Sequence, residues 1–227
     1  MMEELSKAAQ EEQQKAADCL VVVLMSHGGK DTIRGSDNEP LPQQCIYGSD
    51  DEPVALESIC ELFNNKNCPS LQGKPKLFFI QACRGRNQDA GTAKYVPPDR
   101  TDDAAVQTNS DSVPIQKVPT VTDTCFCYAS VDNYVSHRNG ATGSWLLSAV
   151  CEVFSEHACT MPLLELLLLV QGKVNTRVSD KGNCQTVSIE LQGLQKQLYF
   201  NPGLPADGKE CSPLRRRDLC FSFAPLQ

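Results

Sequence analysis

Cys83, in Gln81-Ala82-Cys83-Arg84-Gly85, and His27, in Ser26-His27-Gly28-Gly29, are the residues of this chain best suited to covalent chemistry. An ordinary thiol, with a pKa of about 8.5, is only a few per cent thiolate at neutral pH. A nucleophilic cysteine therefore needs an imidazole or a helix terminus beside it. The 227 residues include three histidines. His157 follows a predicted helix and reads as exposed, and His137 lies beyond the second group of strands. His27 stands at the end of a buried strand and is followed by glycines. By itself, a histidine in that place reads more simply as a hydrogen-bonded structural residue, so the chemistry depends on whether the fold brings it to the thiol.

The elements that would position the pair are legible as periodicities. Cys19 to Met25 is a continuous apolar, β-branched run, the pattern of a strand buried on both faces of a parallel sheet. Pro53 to Phe63 repeats its apolar residues at helical spacing after a proline suited to a first turn. After the turn signal Asn67-Cys68-Pro69, a second buried strand, Lys76 to Ile80, delivers Gln81-Ala82-Cys83. Strand, helix, strand makes a βαβ unit, and open α/β sheets place their binding crevices just past the C-terminal ends of such strands. His27 and Cys83 both fall there. Residues 2 to 17, rich in Glu, Gln, Lys and Ala, predict a helix ahead of this unit. Residues 84 to 118 lack apolar periodicity and read as a long exposed segment. Beyond it, Thr122 to Tyr128 predicts a strand, Gly143 to Phe154 and Leu163 to Val178 two helices, and Lys196 to Phe200 a closing strand.

Composition narrows the function classes. Hydrophobic residues at 41% and charged residues at 22% are ordinary for a soluble globular protein, and a chain this long buries roughly 70–75% of the surface its unfolded form exposes. The net charge of -7 argues against a nucleic-acid partner, because phosphate binding draws on clustered Lys and Arg. The single tight basic run, Arg215-Arg216-Arg217, reads as solvated. No membrane partner is expected, since the longest nearly apolar run, Met161 to Val170, contains Pro162 and Glu165 and is about half a span. Twelve cysteines lie in apolar contexts without disulfide-scaffold spacing, and the start lacks signal-peptide regions, so reduced thiols and a cytoplasmic location are expected. Cys125-Phe126-Cys127 has no second ligand pair at zinc spacing and reads as two core thiols; neither metal nor cofactor is expected.

The run Gln81 to Gly85 matches Q-A-C-[RQG]-G, and His27 lies 56 residues upstream, near the spacing of about 50 that accompanies this signature in the caspases. The chain resembles the caspases over roughly residues 14 to 201, most closely the initiator caspases of the caspase-nine type. The likeness rests on Asp18-Cys-Leu-Val-Val-Val-Leu-Met-Ser-His-Gly28 and on Cys68-Pro-Ser-Leu-Gln-Gly-Lys-Pro-Lys-Leu-Phe-Phe-Ile-Gln-Ala-Cys-Arg-Gly85. It extends to Tyr134-Val-Ser-His-Arg-Asn139 followed by Gly143-Ser-Trp145.

The resemblance implies an α/β, caspase-like three-layer sandwich, with a mostly parallel central sheet and helices on both faces, lacking the family's first strand. It divides the chain into a large-subunit part (1–85), a cleavable acidic linker (86–121), a small-subunit part (122–201) and an irregular tail (202–227). It further implies a cysteine endopeptidase of apoptotic signalling that cuts after aspartate. The Cys83 thiolate would attack the scissile carbonyl, His27 would protonate the leaving amine, and the backbone N–H groups of Gly28 and Cys83 would hold the oxyanion. Gln81 and Arg138 match positions lining the aspartate pocket, where a guanidinium can donate two parallel hydrogen bonds to a carboxylate. Without the resemblance, Arg138 before Asn139-Gly140 reads as a turn arginine.

Val135, Ser136 and His137 match the family's substrate-binding stretch. His137 stands where a tryptophan is usual, which predicts a weaker preference for bulky apolar groups just before the aspartate. Asp103 and Asp111 are the expected maturation cuts. Expected partners are protein substrates and a second caspase chain, identical or not, paired through the sheet edge near residues 195 to 200. The family carries another strand and a pocket arginine ahead of the run at Cys19, and this chain begins after both. The alternative is therefore a non-catalytic or dominant-negative caspase that regulates by pairing with an intact one.

Overall fold

The structure, a computed structural model, describes residues 1–10, 13–34, 40–90, 118–139 and 143–200. Asp103, Asp111 and the segment 202–227 lie outside the described residues. Helices α1 (Met2–Gln10) and α2 (Gln13–Ala16) precede strand β1 (Leu20–Met25). Strands β2 (Gly28–Arg34), β3 (Pro40–Tyr47) and β4 (Pro53–Ala55) make an antiparallel sheet of their own. Helix α3 (Leu56–Leu62) and a 3-10 turn at Pro69–Leu71 return the chain to β5 (Lys76–Gln81), followed by β6 (Gly85–Asn87). The second half holds β7 (Thr124–Tyr128), the short strands β8 (Asn133–Tyr134), β9 (Arg138–Asn139) and β10 (Gly143–Ser144), then helices α4 (Trp145–His157) and α5 (Leu163–Asn175), and β11 (Ser188–Gln192).

The central sheet has the order β1-β5-β7-β11, with β1, β5 and β7 parallel and β11 antiparallel to β7. Alternation along the strands sends side chains to two separate cores. Val22, Leu24, Phe78, Ile80, Phe126 and Tyr128 pack with Leu56, Ile59 and Phe63 on the α1 and α3 side. Leu77, Phe79, Cys125 and Cys127 pack with the inner faces of α4 and α5 on the other. Three layers result, as the α/β expectation requires. Helix α5 commits Leu163, Leu166, Leu167, Val170 and Val174 to its core, each side chain contributing about 1.5–3 kcal/mol relative to an exposed one. Ser144 caps α4, its Oγ accepting from the Leu147 N–H at 3.1 Å.

At the start of β5, Lys76 is almost completely buried. Its ammonium donates to the carbonyls of Leu71 (3.1 Å) and Lys74 (3.0 Å) and to Asn65 Oδ1 (3.4 Å), so all three protons have acceptors. Burial still disfavours its charged form and lowers its pKa, although Asp123 and Cys68 oppose the shift.

Two expectations need correction. Strand β1 is not buried on both faces: Val22 and Leu24 are, but Val21 is 37% and Met25 49% exposed, because β1 is an edge of the sheet and the α4–α5 layer reaches it at Val23. The polar, proline-bearing stretch after His27, assigned to no element above, forms β2 and β3, which pair by backbone hydrogen bonds without apolar alternation, while Cys45 and Ile46 of β3 are buried. The closing strand is Ser188–Gln192, not Lys196–Phe200. The apolar spacing of Leu198 and Phe200 serves the α4–α5 core instead: the Leu198 carbonyl accepts from the Leu163 N–H at 2.8 Å, and the Phe200 ring lies 5.4 Å from that of Phe154. The second edge of the central sheet is β11, where Leu191 is 48% exposed.

Candidate active site

The site is assembled where β1 and β5 end together. Their register pairs Leu20 with Lys76 through Met25 with Gln81, and the Ser26 N–H extends the ladder by donating to the Gln81 carbonyl at 3.2 Å. His27 and Cys83 are thus the equivalent positions on neighbouring strand ends. The backbone of His27 is fixed from the other side, its carbonyl accepting from the Tyr47 N–H at 3.0 Å, while Ser26 Oγ donates to the Tyr47 carbonyl at 2.7 Å. The His27 side chain is exposed and Cys83 is half-buried.

Gly28 is required by close approach. A Cβ there would lie 2.8 Å from Ala82 Cβ and 2.9 Å from the carbonyl oxygens of both Cys45 and Cys83. The first residue of β2 therefore rests directly on the Cys83 peptide, which puts the backbones of Gly28 and Cys83 side by side. Gly85 does the same on the other flank, where its Cα faces the backbone of Asn133 too closely for any side chain.

A short parallel pairing then joins the two halves of the chain. Tyr134 O accepts from the Arg84 N–H (2.9 Å), Arg84 O from the Asn133 N–H (3.1 Å), and Asn87 O from the Val135 N–H (3.0 Å). Ser136 is thereby laid against the thiol. Its N–H donates to Cys83 Sγ at 3.4 Å, and its Oγ lies 3.7 Å from the same sulfur. Gln81, also buried, donates from Nε2 to Ser136 Oγ at 3.1 Å, and its Oε1 is buried without a partner among the described residues. Cys83, Gln81 and Ser136 are thus brought into contact. Val135 is tied in through its backbone N–H.

His137 turns away from the sulfur. Its ring lies 5.0 Å from Trp145, and its N–H donates to Gln185 Oε1 at 2.6 Å. Arg138 lies on the exposed β9–β10 hairpin, paired in register with Ser144. Gln185 was not singled out by the sequence, yet it is 2% exposed and also donates to the Ala129 carbonyl at 2.7 Å, joining β7 to the His137 wall. Its partners are distant backbone groups, so no local pattern announces it.

Behind the thiol, the Arg84 guanidinium stacks 4.0 Å over the Tyr128 ring and lies 3.4 Å from Glu190 Oε1 on β11. Burial, and then Glu190, pushes the Tyr128 phenol above its usual range. In front, Lys30 pairs with Asp132 at 2.7 Å, and Gln44 Nε2 donates to Asp132 (2.9 Å) and to the Arg84 carbonyl (3.2 Å), clamping the β2–β3 hairpin onto the β6–β8 junction. Burial would raise the Asp132 carboxyl, but hydrogen bonding and charge from Lys30 hold it below its usual value. Among the described residues, no group of three or more His, Cys, Asp or Glu side chains is arranged to hold a metal, and no helix is long and apolar enough to cross a membrane.

The arrangement provides a thiol just past the end of β5 and an imidazole at the register-equivalent position past the end of β1. The family model described as the caspase domain matches residues 1–199. Caspase-7 of Gallus gallus is 33% identical over 205 residues, covering 88% of this chain and 60% of that protein. Human caspase-9 is 34% identical over 200 residues (82% and 45%), and Caspase Dronc of Drosophila melanogaster 32% over 194 (82% and 41%). The chain spans about 60% or less of the length of these relatives.

Proposed function

We propose, since this chain belongs to the caspase family, that it is a cysteine endopeptidase cutting protein substrates after aspartate in apoptotic signalling. The observation that carries the reading is the convergence of Cys83, Gln81 and Ser136 beside the His27-Gly28 strand end. The Cys83 thiolate attacks the scissile carbonyl, forming the C–S bond. The oxyanion is held by the N–H groups of Gly28 and Cys83, each such donor being worth about 2.7–4 kcal/mol. His27 protonates the leaving amine, and water then hydrolyses the thioester, releasing the acid and restoring the thiol.

Gln81 and Arg138 receive the substrate aspartate. The two ends of the Gln81 amide are interchangeable by rotation, so the buried end that lacks a partner can be presented as an N–H to a carboxylate. Maturation by cleavage at Asp103 or Asp111 and a cytoplasmic site of action belong to the same reading. The open edge of β11, with Leu191 exposed, favours a second role in the same cell: pairing with another caspase chain, which a catalytically silent copy would regulate.

The test is expression of residues 1 to 227 with an aspartate-containing fluorogenic peptide, beside Cys83→Ala. Cys83-dependent turnover is expected. Its absence even at high protein concentration would refute the enzyme and leave the pairing role.

A further inference from the structure

Helix α5 carries an apolar stripe that its core does not take up. Leu163, Leu166, Leu167, Val170 and Val174 are buried, whereas Leu164 and Leu168, one turn apart, are 36% and 62% exposed. Leu164, Leu168 and Gln171 follow one another at helical spacing along one side of the helix. Gln171 fixes where that side faces: its Nε2 donates to the Val187 carbonyl at 2.9 Å, and Val187 directly precedes β11. The two leucines therefore flank β11.

Strand β11 is itself used on one side only. It bonds to β7, and among the described residues no strand pairs with its other edge. Its side chains alternate between the two faces of the sheet. Val187 and Ile189 pack with the α4–α5 core, so Leu191, two residues on and 48% exposed, points to that same layer. An open backbone edge thus meets three exposed leucines, Leu164, Leu168 and Leu191. Such a corner fits an added strand that is apolar on one face.

The chain contains such a segment beyond Phe200. Leu219, Phe221 and Phe223 recur at period two, with the small Cys220 and Ser222 between them, and residues 219–223 match β11 in length. These residues lie outside the described ones. Reach favours them as the occupant. The described residues end beside the corner, because the Leu198 carbonyl accepts from the Leu163 N–H at 2.8 Å, at the start of the helix that carries Leu164. Helix α5, 13 residues long, spans about 20 Å. A flexible tether of 18 residues, the length of 201–218, has an end-to-end distance of about 23 Å. A tether matched to its span holds the segment at an effective concentration on the order of millimolar, which a second copy of the chain in dilute solution does not reach. We propose that residues 219–223 add to the central sheet as a fifth strand along β11, with Leu219, Phe221 and Phe223 against Leu191 and the Leu164–Leu168 stripe. The docking does not depend on cleavage by Cys83. Its consequence rests on the pairing role above: the segment occupies the edge at which another caspase chain would bind, and its release opens that edge.

Hydrogen exchange on the whole chain tests this, in a Cys83→Ala background that keeps the chain uncut and at a concentration where light scattering shows monomer. The amides of β11 should exchange about tenfold more slowly in that parent than in Phe221→Asp. Leu168→Asp, a change at an exposed position on the other side of the contact, should release β11 to the same degree. Should one of the two variants not fold, the other carries the comparison. Strand β1, the opposite edge of the sheet, is the internal reference, and its amides should exchange alike in all three chains. Exchange at β11 that neither substitution changes would overturn the inference. So would protection of β11 that appears only at concentrations where the parent is a dimer, since a second copy then covers the edge. At rising concentration, Phe221→Asp should self-associate before the parent does. A freed edge that stays monomeric would count against the pairing role and leave the docking standing.

Discussion

Replacing Gly28 with alanine inserts one methyl group at the contact between β2 and the Cys83 peptide. The added Cβ meets three atoms at 2.8–2.9 Å, against about 3.5–4.0 Å for a relaxed carbon contact, so something must move by roughly 0.6 Å. None of the three is the end of a flexible side chain: two are carbonyl oxygens, of Cys45 and Cys83, and the third is the Cβ of buried Ala82. Overpacking of this kind costs about 1–3 kcal/mol, and for a chain of this size each kcal/mol lowers Tm by about 2–4 °C. Gly29→Ala is the matched control, because a Cβ there meets nothing within 4 Å. Calorimetry should show Gly28→Ala melting about 4–8 °C lower and Gly29→Ala within about 2 °C of the parent. A catalytic readout follows from the same displacement. If the backbone N–H of Gly28 leaves the oxyanion position, kcat should fall about 10²-fold with KM little changed. Equal melting points for the two variants would show that the close approach is not tight. A normal kcat with a lowered Tm would remove Gly28 from the oxyanion hole while keeping its packing role.

Alkaline stability offers a second measurement. Burial pushes the Cys60 and Cys125 thiols up to about 12, and raises Cys127 further. Unfolded thiols ionise near pH 8.5, so above that value the native state holds more protons, and stability should fall by about 1.4 kcal/mol per pH unit for each such thiol until the native value is reached. Lys76, lowered by burial, works the other way up to about pH 10.4 but is outnumbered. A urea midpoint that stays flat between pH 9 and 11 would contradict this. Arg84→Ala should destabilise by about 1–3 kcal/mol, whereas Glu190→Ala should cost under about 1 kcal/mol, since Glu190 is 43% exposed and its ion pair is solvent-screened while the stack on Tyr128 is not. Equal losses in urea titrations would reverse that ranking. Leu166→Ala, at a fully buried position between α5 and its core, should cost about 2–5 kcal/mol in the same assay.

The residues that could be read in advance are those whose surroundings are local or periodic. Lys76 to Ile80 had to be a central strand because every residue is apolar or can bury its stem, and the structure buries all of β5. The equivalence of His27 and Cys83 followed from two strand ends and a crossover. β1 was misjudged because its sequence is as apolar as β5, and burial depends on how far the neighbouring layer extends, which no single strand records. β2 and β3 were missed because polar strands gain their order from a partner across the hairpin. The Lys196–Phe200 assignment erred where Leu198 and Phe200 repeat at strand period for a helix-facing reason. Gln185, Tyr128 and the His137–Trp145 contact are tertiary matters, and Arg138, a turn arginine by its neighbours, gains a pocket role only through the resemblance.

The division of β5 between two cores has a consequence for fidelity of assembly. Leu77 and Phe79 answer to one helical layer, Phe78 and Ile80 to the other, and the strand has no polar face that water would tolerate being exchanged. A slip of one residue against β1 or β7 would misplace large side chains in both layers at once, so the correct alignment is checked twice by independent packing. The position of Cys83 is counted off from that alignment. Two blocks of hydrophobic residues that never touch a substrate therefore act as a redundant code ensuring that the thiol, and not Ala82 or Arg84, emerges beside His27.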